Sequence, residues 1–444
     1  MEIPQTKNRL AETTKRYEHY KESGVEWLGK IPEHWEALSN KFIFDLKKIQ
    51  VGKKSNEYDL LSLTLRGIVI RNLEGGGKFP AEFDTYQEVK KGDFVFCLFD
   101  VEETPRCVGL SDYDGMITGA YTVMETNENF DRSFLYYFYL NLDADKRMKP
   151  LYTGLRNTIS KDNFFAFKTF VPPLQEQTAI AQFLDDKTQK IDAAVALKEQ
   201  QIKLLQERKQ ILIHKAVTRG LDDTVKLKDS GVEWIGKIPE HWEVKKLKYI
   251  LNEKLKYGAN ESGVQYDINL PRYVRITDFG KDGKLGEENK LSLSWNNGGD
   301  YLLKDGDILF ARSGATVGKT YQFKKSMSVE KYYCFAGYLI KAEANEEIIL
   351  SDFLYLYTNS ELFNKWKDSI FIKATIENIG ADKYSQLFVI IPPIREQKEI
   401  LCQYESASQK IETAISLKQQ EIEKLKEYKS SLINSVVTGK VKVN

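Results

Sequence analysis

The chain is written twice. Residues 23–36 read SGVEWLGKIPEHWE and residues 230–243 read SGVEWIGKIPEHWE, differing only at Leu28 and Ile235. Two long stretches recur in the same register: VPPLQEQTAIAQFLDDKTQKIDAAVALKEQQIKLLQERKQILIHKAVTRG from Val171, and IPPIREQKEILCQYESASQKIETAISLKQQEIEKLKEYKSSLINSVVTGK from Ile391. Between these anchors KKGDFVFC (90–97) answers LKDGDILFA (303–311), and FLYYFYLN (134–141) answers FLYLYTNS (353–360). A repeat this long is no solenoid unit, so the chain must fold as two half-molecules of one plan.

Pro172–Pro173 and Pro392–Pro393 cannot lie inside a helix, but they can precede or open one. Beyond them the apolar residues fall three and four apart: Ile191, Val195, Ile202, Leu205 and Leu212, matched by Ile411, Ile415, Ile422, Leu425 and Leu432. With Glu, Gln and Lys filling the other positions, this is a coiled-coil seam. Lys198 and Lys418 occupy equivalent places, as do Lys209 and Lys429. The two helices can satisfy these stripes by pairing with each other or by packing each on its own domain; the narrow, long stripes favour pairing. A helix of about 40 residues spans roughly 60 Å, enough to hold two domains at a fixed separation. Gln175, Glu176, Gln177, Glu396 and Gln397, at the helix starts, read equally as caps and as partner contacts.

The regions 37–171 and 244–391 look different. DLLSLTLRGIVIRN, DFVFCLF, YVRITDF, DILFAR and FAGYLIKA are short β-like runs separated by Gly, Asp and Asn turns, and an aromatic helical segment precedes each Pro-Pro step. The expected fold is α+β: two mixed α/β domains in pseudo-two-fold arrangement, separated by two long antiparallel coiled-coil helices. The parts are an arm and first domain (1–171), a helix (172–219), a second domain (220–391) and a second helix (392–444).

Lys and Arg number 65 against 64 Asp and Glu, so no global charge marks the chain as a polyelectrolyte binder, although a local basic face remains open. Cys97, Cys107, Cys334 and Cys402 lie far apart without a CxxC pair, as expected of reduced thiols. The first residues, MEIPQTKNRLAETTKRYEHYKE, lack the apolar stretch of a signal peptide, and runs such as LFVIIPPI are too short for a membrane span. A soluble, cytoplasmic protein is expected.

Catalytic patterns fail one after another. SGATVGKT (313–320) has Ser313 where a phosphate loop needs Gly, so it reads as a turn after the DILFAR strand. VPPL and IPPI have no polar residue before and no aromatic after the prolines, unlike an amino-methyltransferase motif. EVK at 243–245 meets EAL in the duplicate, which leaves a nuclease reading unsupported. His19, His34, His214 and His241 form no ligand pair; His34 and His241, inside PEHWE, suit packing and hydrogen bonding. Trp27, Trp35, Trp234 and Trp242 read as packing anchors between that motif and the helices.

Binding fits better. Basic and polar residues gather on loops in both halves: VGKKSN, GLRNTISKDN, NLPRYVRITD, ARSGATVGKT and FIKATIENIG. Lys and Arg neutralise phosphates, while Arg, Asn, Ser and Thr read base edges. The candidate DNA-binding residues are Lys53, Lys54, Arg156, Asn157, Lys161, Arg272, Arg275, Arg312, Ser313, Lys319 and Lys373. DNA is itself nearly two-fold symmetric, and a duplicated chain offers it two equivalent elements. The near-identical stretches would then be equivalent surfaces or hinges, since as readers they would read the same thing twice.

The paired SGVEWLGKIPEHWE segments, the PPLQEQ and PPIREQ steps into long helices, and the AVTRG and VVTGK ends resemble the specificity subunit of type I restriction–modification systems, over essentially the whole chain. The resemblance implies that 37–171 and 244–391 are target recognition domains, each reading one part of a bipartite double-stranded DNA site. It implies that 172–219 and 392–440 form a spacer and a platform for two methyltransferase subunits. Nuclease–translocase subunits would join the larger assembly. It also implies no catalysis or cofactor on this chain, with S-adenosylmethionine, ATP and Mg on the partners. Contacts to individual bases do not carry over. Because neither domain is strongly basic, the partners are expected to supply part of the phosphate neutralisation.

Overall fold

Both copies of the repeated segment fold into a hairpin that leads to a buried tryptophan. Tyr20–Glu22 pairs antiparallel with Lys30–Pro32, and Leu227–Asp229 pairs likewise with Lys237–Pro239. Each connecting turn is closed by a serine whose Oγ accepts from the backbone two residues on, Ser23 from Val25 at 3.1 Å and Ser230 from Val232 at 3.2 Å. Gly29 and Gly236 then take φ of 67° and 75°, a conformation a β-carbon would strain. Beyond the turns Leu28, Ile31 and Trp35 are buried, as are Ile235, Ile238 and Trp242. The computed structural model describes residues 15–72, 82–222, 224–280, 283–314, 316–371 and 378–443. Its two compact units comprise 1–198 with 419–444, and 199–418.

In each unit the strand after the tryptophan pairs with the strand that runs into the Pro-Pro step. Glu36–Ser39 lies against Lys168–Val171 with Glu36 opposite Val171; Glu243–Lys246 lies against Phe388–Ile391 with Glu243 opposite Ile391. This identical register sets PEHWE beside the start of a long helix.

Each unit also holds one four-stranded antiparallel sheet of the same order. In the first unit it runs Phe44–Lys47, Thr122–Thr126, Phe94–Phe96, Val108–Leu110; in the second, Lys256–Tyr257, Leu339–Ala342, Ile308–Ala311, Thr320–Gln322. The KKGD and KDGD turns lead into the matching strands. Asp93 accepts from the Lys90 N–H at 2.7 Å and Asp307 from the Lys304 N–H at 2.8 Å. A lysine faces each aspartate, half-buried Lys47 at 2.8 Å and buried Lys341 at 3.3 Å. The aromatic helices Arg132–Ala144 and Ser351–Thr358 cover the sheets with Phe134, Leu135, Phe138, Phe353, Leu354 and Tyr357.

Around this common plan the units differ. The first adds a hairpin, Leu61–Thr64 with Gly67–Ile70, which is how DLLSLTLRGIVIRN folds. The second adds a four-stranded sheet in which Arg272–Val274 runs parallel to Tyr333–Phe335. YVRITDF is therefore strand only to Val274; Ile276–Asp278 turns into a 3-10 segment held by Asp278, which accepts from the Arg275 N–H at 2.7 Å.

The long helices are Leu174–Thr218 and Ile394–Val437. Within the first unit Lys198 reaches Glu421 at 2.6 Å and Lys429 reaches Asp192 at 2.7 Å. Within the second, Lys209 reaches Glu412 at 2.6 Å and Lys418 reaches Gln201 at 2.6 Å. Partner numbers fall as the helix numbers rise, so the pairing is antiparallel, and the four equivalent lysines make equivalent cross-helix contacts. The two arrangements open to the stripes coexist. Ile191, Ile411, Ile422 and Leu432 are buried, and Val195, Ile202, Leu205, Leu212, Ile415 and Leu425 are half-buried. Toward their ends the helices enter the domain cores. Ile180, Leu184, Ile433 and Val436 join the first, and Ile213, Val217 and Ile400 join the second. In the first helix Ile213 joins the core while Leu212 beside it is half-buried.

Candidate nucleic-acid interface

The frame that carries the variable loops is held by one carboxylate per half. Glu176 accepts from the Trp35 indole N–H at 3.1 Å and the Tyr17 hydroxyl at 2.5 Å, and pairs with His34 Nε2 at 2.7 Å. Glu396 does the same for Trp242 at 3.0 Å and His241 at 2.8 Å. Both sit in the first turn of a long helix, where a carboxylate is also favoured by the helix dipole. The neighbouring glutamines tie down a second element. Gln177 accepts from the Asp131 N–H at 2.9 Å and donates to the Pro172 carbonyl at 2.8 Å; Gln397 accepts from Leu350 at 2.8 Å and donates to Pro392 at 2.8 Å. Glu176, Gln177, Glu396 and Gln397 are thus engaged inside their own units, while Gln175 is exposed. PEHWE is kept alike in both halves because its His and Trp meet the same Glu.

The other long helix closes each clasp. Gly220, at φ 71°, ends the first helix against Trp242 and Glu396, where a β-carbon would lie 2.9 Å from each. Gly439, at φ 71°, ends the second against Trp35, and a β-carbon there would overlap the Pro32 ring. These are the AVTRG and VVTGK ends. Trp35 and Trp242 are fully buried anchors; Trp27 and Trp234 are half-buried, and Trp27 lies under the Arg147 guanidinium at 4.9 Å.

The predicted DNA-binding residues divide. Lys53 and Lys54 stand exposed on the 3-10 segment Gly52–Glu57. Arg156 and Asn157 sit at the tip of the hairpin Tyr152–Thr153 with Thr158–Ile159, and Lys161 is exposed just after it. That tip is braced: Asp100 and Val101 donate backbone N–H groups to the Arg156 and Asn157 carbonyls at 2.9 and 3.3 Å. Arg275 is turned back onto Asp278 at 2.9 Å and the Asn289 carbonyl at 2.8 Å. Lys319 is exposed along its stem, but its ammonium donates to the Phe279 carbonyl at 2.8 Å, so SGATVGKT is a turn that folds its lysine inward. Ser313 is half-buried and bridges to Asn378. Lys373 lies outside the described residues.

Arg272 departs from expectation. It opens a strand, is 2% exposed, and is held by Glu287 at 3.0 Å, by Glu330 at 3.3 Å and by the Gly286 carbonyl. Lys290 reaches Glu330 at 2.8 Å, and the Tyr333 hydroxyl also donates to it. Burial pushes the Glu330 carboxyl up, but Lys290, Tyr333 and Arg272 together outweigh burial and bring it down to about 2. Arg272 is therefore engaged within the second domain's extra sheet, with its guanidinium held on Glu287 and Glu330 rather than presented to solvent.

Arg312 is placed differently. Its guanidinium lies over the Tyr257 ring at 5.1 Å, and no hydrogen bond or ion pair to its side chain occurs among the described residues. Tyr257 is fixed by the Ala381 N–H, which donates to its hydroxyl at 2.9 Å. Beside it Tyr338 is 67% exposed, on a backbone that receives the Arg312 N–H at 3.0 Å. Sequence reasoning missed both tyrosines, because nothing in KYGAN or FAGYL marks them as neighbours of Arg312. It also missed Leu155, fully exposed at the first domain's hairpin tip.

Among the described residues no group of three His, Cys, Asp or Glu side chains is placed to hold a metal, and no helix is long and apolar enough to cross a membrane. Burial pushes the Cys107 and Cys334 thiols up to about 12, which disfavours the thiolate at both.

Comparison with known proteins fits this frame. The family model described as the type I restriction modification DNA specificity domain matches residues 110–206 and 239–427. The type I restriction enzyme MjaVIII specificity subunit of Methanocaldococcus jannaschii is 25% identical over 338 residues, 72% of this chain and 72% of that one. The StySPI specificity subunit of Salmonella potsdam is 24% identical over 394 residues, 84% of this chain and 82% of its own length. A chain solved in work on complex assembly and conformational transition of the type I restriction–modification system shares the fold. Its TM-score is 0.64 at 14% identity, covering 92% of this chain and 98% of that chain. The duplicated frame and the family match over more than half the chain agree: it belongs to the type I restriction–modification DNA specificity family, as a DNA-recognition subunit.

Proposed function

We infer that the chain reads an asymmetric DNA site split in two, one domain per part, and positions methyltransferase and nuclease subunits on it. The parts are 1–171 and 220–391 as readers, with 172–219 and 392–444 as the spacer. The observation that supports this most is the contrast between the two Glu clasps and the loops they carry. Two identical frames with identical loops would read one sequence twice; two identical frames with different loops suit two different half-sites. Helices of 45 and 44 residues, each about 65 Å long at 1.5 Å per residue, set the gap. The relatives named as specificity subunits of type I restriction enzymes support the partner assignment. S-adenosylmethionine, ATP and Mg belong on those partners. The first long helix also keeps Leu204 and Ile211 exposed one heptad apart, where the second has Lys424 and Ser431, a surface suited to a protein partner.

Methylation mapping tests this. The chain is co-expressed with its methyltransferase subunit and modified adenines in host DNA are sequenced, against a control without the chain. A split motif that depends on the chain is expected. Replacing 244–391 with another member's domain should change one half of the motif only; a change in both halves would break the one-domain, one-half-site reading.

A further inference from the structure

Leu98 and Arg312 occupy one place in the two domains. Each follows the central strand of its four-stranded sheet, after Phe94–Phe96 and Ile308–Ala311. The Leu98 carbonyl accepts from the Ile159 N–H at 2.8 Å, and the Arg312 carbonyl accepts from the Ile379 N–H at 2.8 Å. The backbone is the same and the side chains are opposite in kind. Leu98 is buried in the first core, whereas Arg312 is half-buried on Tyr257 and its side chain meets no hydrogen-bond or ion-pair partner among the described residues. The other guanidiniums considered for DNA in this domain, Arg272 and Arg275, are both neutralised by carboxylates.

Among the described residues this half-buried guanidinium has no carboxylate beside it, so it has lost part of its hydration without gaining one of them as a partner, an arrangement that favours an external acceptor. The Tyr257 ring beneath the guanidinium restrains it, and the Ala381 N–H fixes Tyr257, so less freedom is lost on binding than for a side chain extended into water. Gly258 and Gly337 keep this corner closed, since a β-carbon on either would overlap Ala336 backbone or Asn260. A planar, oriented pair of N–H donors matches O6 and N7 of guanine in the major groove. A phosphate lies under every sequence, so a phosphate contact has no reason to become a buried leucine in the other domain; a base contact does.

We propose that Arg312, seated on Tyr257 beside Tyr338, is a guanine-reading residue of the second domain. The proposal rests on the DNA-recognition role and adds the base and the residue that reads it.

The test uses the chain in complex with its methyltransferase subunit and compares methylation motifs of the wild type, Arg312→Gln, Arg312→Lys and Tyr257→Leu. Arg312→Gln should relax one G·C position, which the domain swap assigns to the second domain, by roughly ten- to a hundredfold in discrimination. Arg312→Lys should not restore it, because a lysine offers no fixed fork, and Tyr257→Leu should relax the same position less. Complex formation and the thermal midpoint of each variant separate misfolding from lost reading. Uniform loss at all sites in Arg312→Gln with rescue by Arg312→Lys would assign the residue to a phosphate and overturn the proposal. So would an unchanged motif, or a change in the half-site of the first domain. The wild-type motif alone decides whether the site is split, so failure of that reading is seen separately.

Discussion

Glu176 and Glu396 perform one task in two halves, while Leu98 and Arg312 perform two tasks from one backbone position. Glu176 holds three donors and Glu396 two, because Tyr17 has no counterpart in the second clasp. Otherwise the clasps match in partners, in register and in the glycine that closes them. The sheets match in strand order and in the aspartate that opens the central strand. The largest divergence is in what is built outside these frames: a hairpin in the first domain, and a parallel-paired sheet with a buried charge network in the second. Frame positions are coupled to several others at once, so they change together or not at all. Loop positions have fewer partners and can differ.

The largest difference between the halves should come from Glu330. Arg272 is nearly inaccessible, so Glu330→Gln leaves a buried guanidinium short of its closest buried carboxylate, at a cost of about 3 kcal/mol. Hydrogen exchange should report lost protection across 264–343 and none across 44–126; equal loss in both would mean the units are less independent than their cores. The effect carries a pH signature. Glu330 titrates at about 2 in the fold against 4.5 for an ordinary glutamate. Its stabilisation is therefore full above pH 4.5 and disappears as the pH falls toward 2. Urea midpoints of wild type and Glu330→Gln should converge over that window and stay apart above it.

The clasp glycines sharpen the comparison next. Gly439→Ala puts a methyl into the Pro32 ring, which cannot swing aside, whereas Gly220→Ala meets an indole edge and the end of a glutamate side chain. Both also strain a positive φ. The expected losses are about 2–3 kcal/mol for Gly439→Ala and about 1–2 kcal/mol for Gly220→Ala, read from denaturant midpoints. The reverse order would show that the first clasp is the more yielding.

The smallest contrast concerns the carboxylates. Glu176→Ala and Glu396→Ala each strand a buried indole N–H, at about 1–3 kcal/mol, with Glu176→Ala the worse because it also frees the Tyr17 hydroxyl. Tyr17→Phe beforehand should erase that excess. If Glu176→Ala remains worse in the Tyr17→Phe background, Tyr17 is not what distinguishes the clasps.

Much of this was legible from residues. The seam lysines were recognised as equivalent pairs, and all four bridge the helices. The prolines mark the helix starts to within two residues, because ring geometry acts locally. SGATVGKT was legible as a turn, since one missing glycine excludes the phosphate loop. Arg272 was not. RYVRITD places two arginines three apart, and only the pairing of Arg272–Val274 with Tyr333–Phe335 decides that one is buried against Glu330. Nor was the partner of PEHWE visible, because Glu176 and Glu396 lie 141 and 154 residues from the tryptophans they hold.

By itself the sequence determined that there are two halves, two long helices and two variable regions, since repetition, periodicity and proline act over short range and need no partner. Which charges are neutralised and which stay open was decided by tertiary structure. A charge is engaged or free according to what distant strand or loop arrives beside it. That is why Arg272 became a buried strut, while Arg312 lies over Tyr257 with no carboxylate beside it among the described residues.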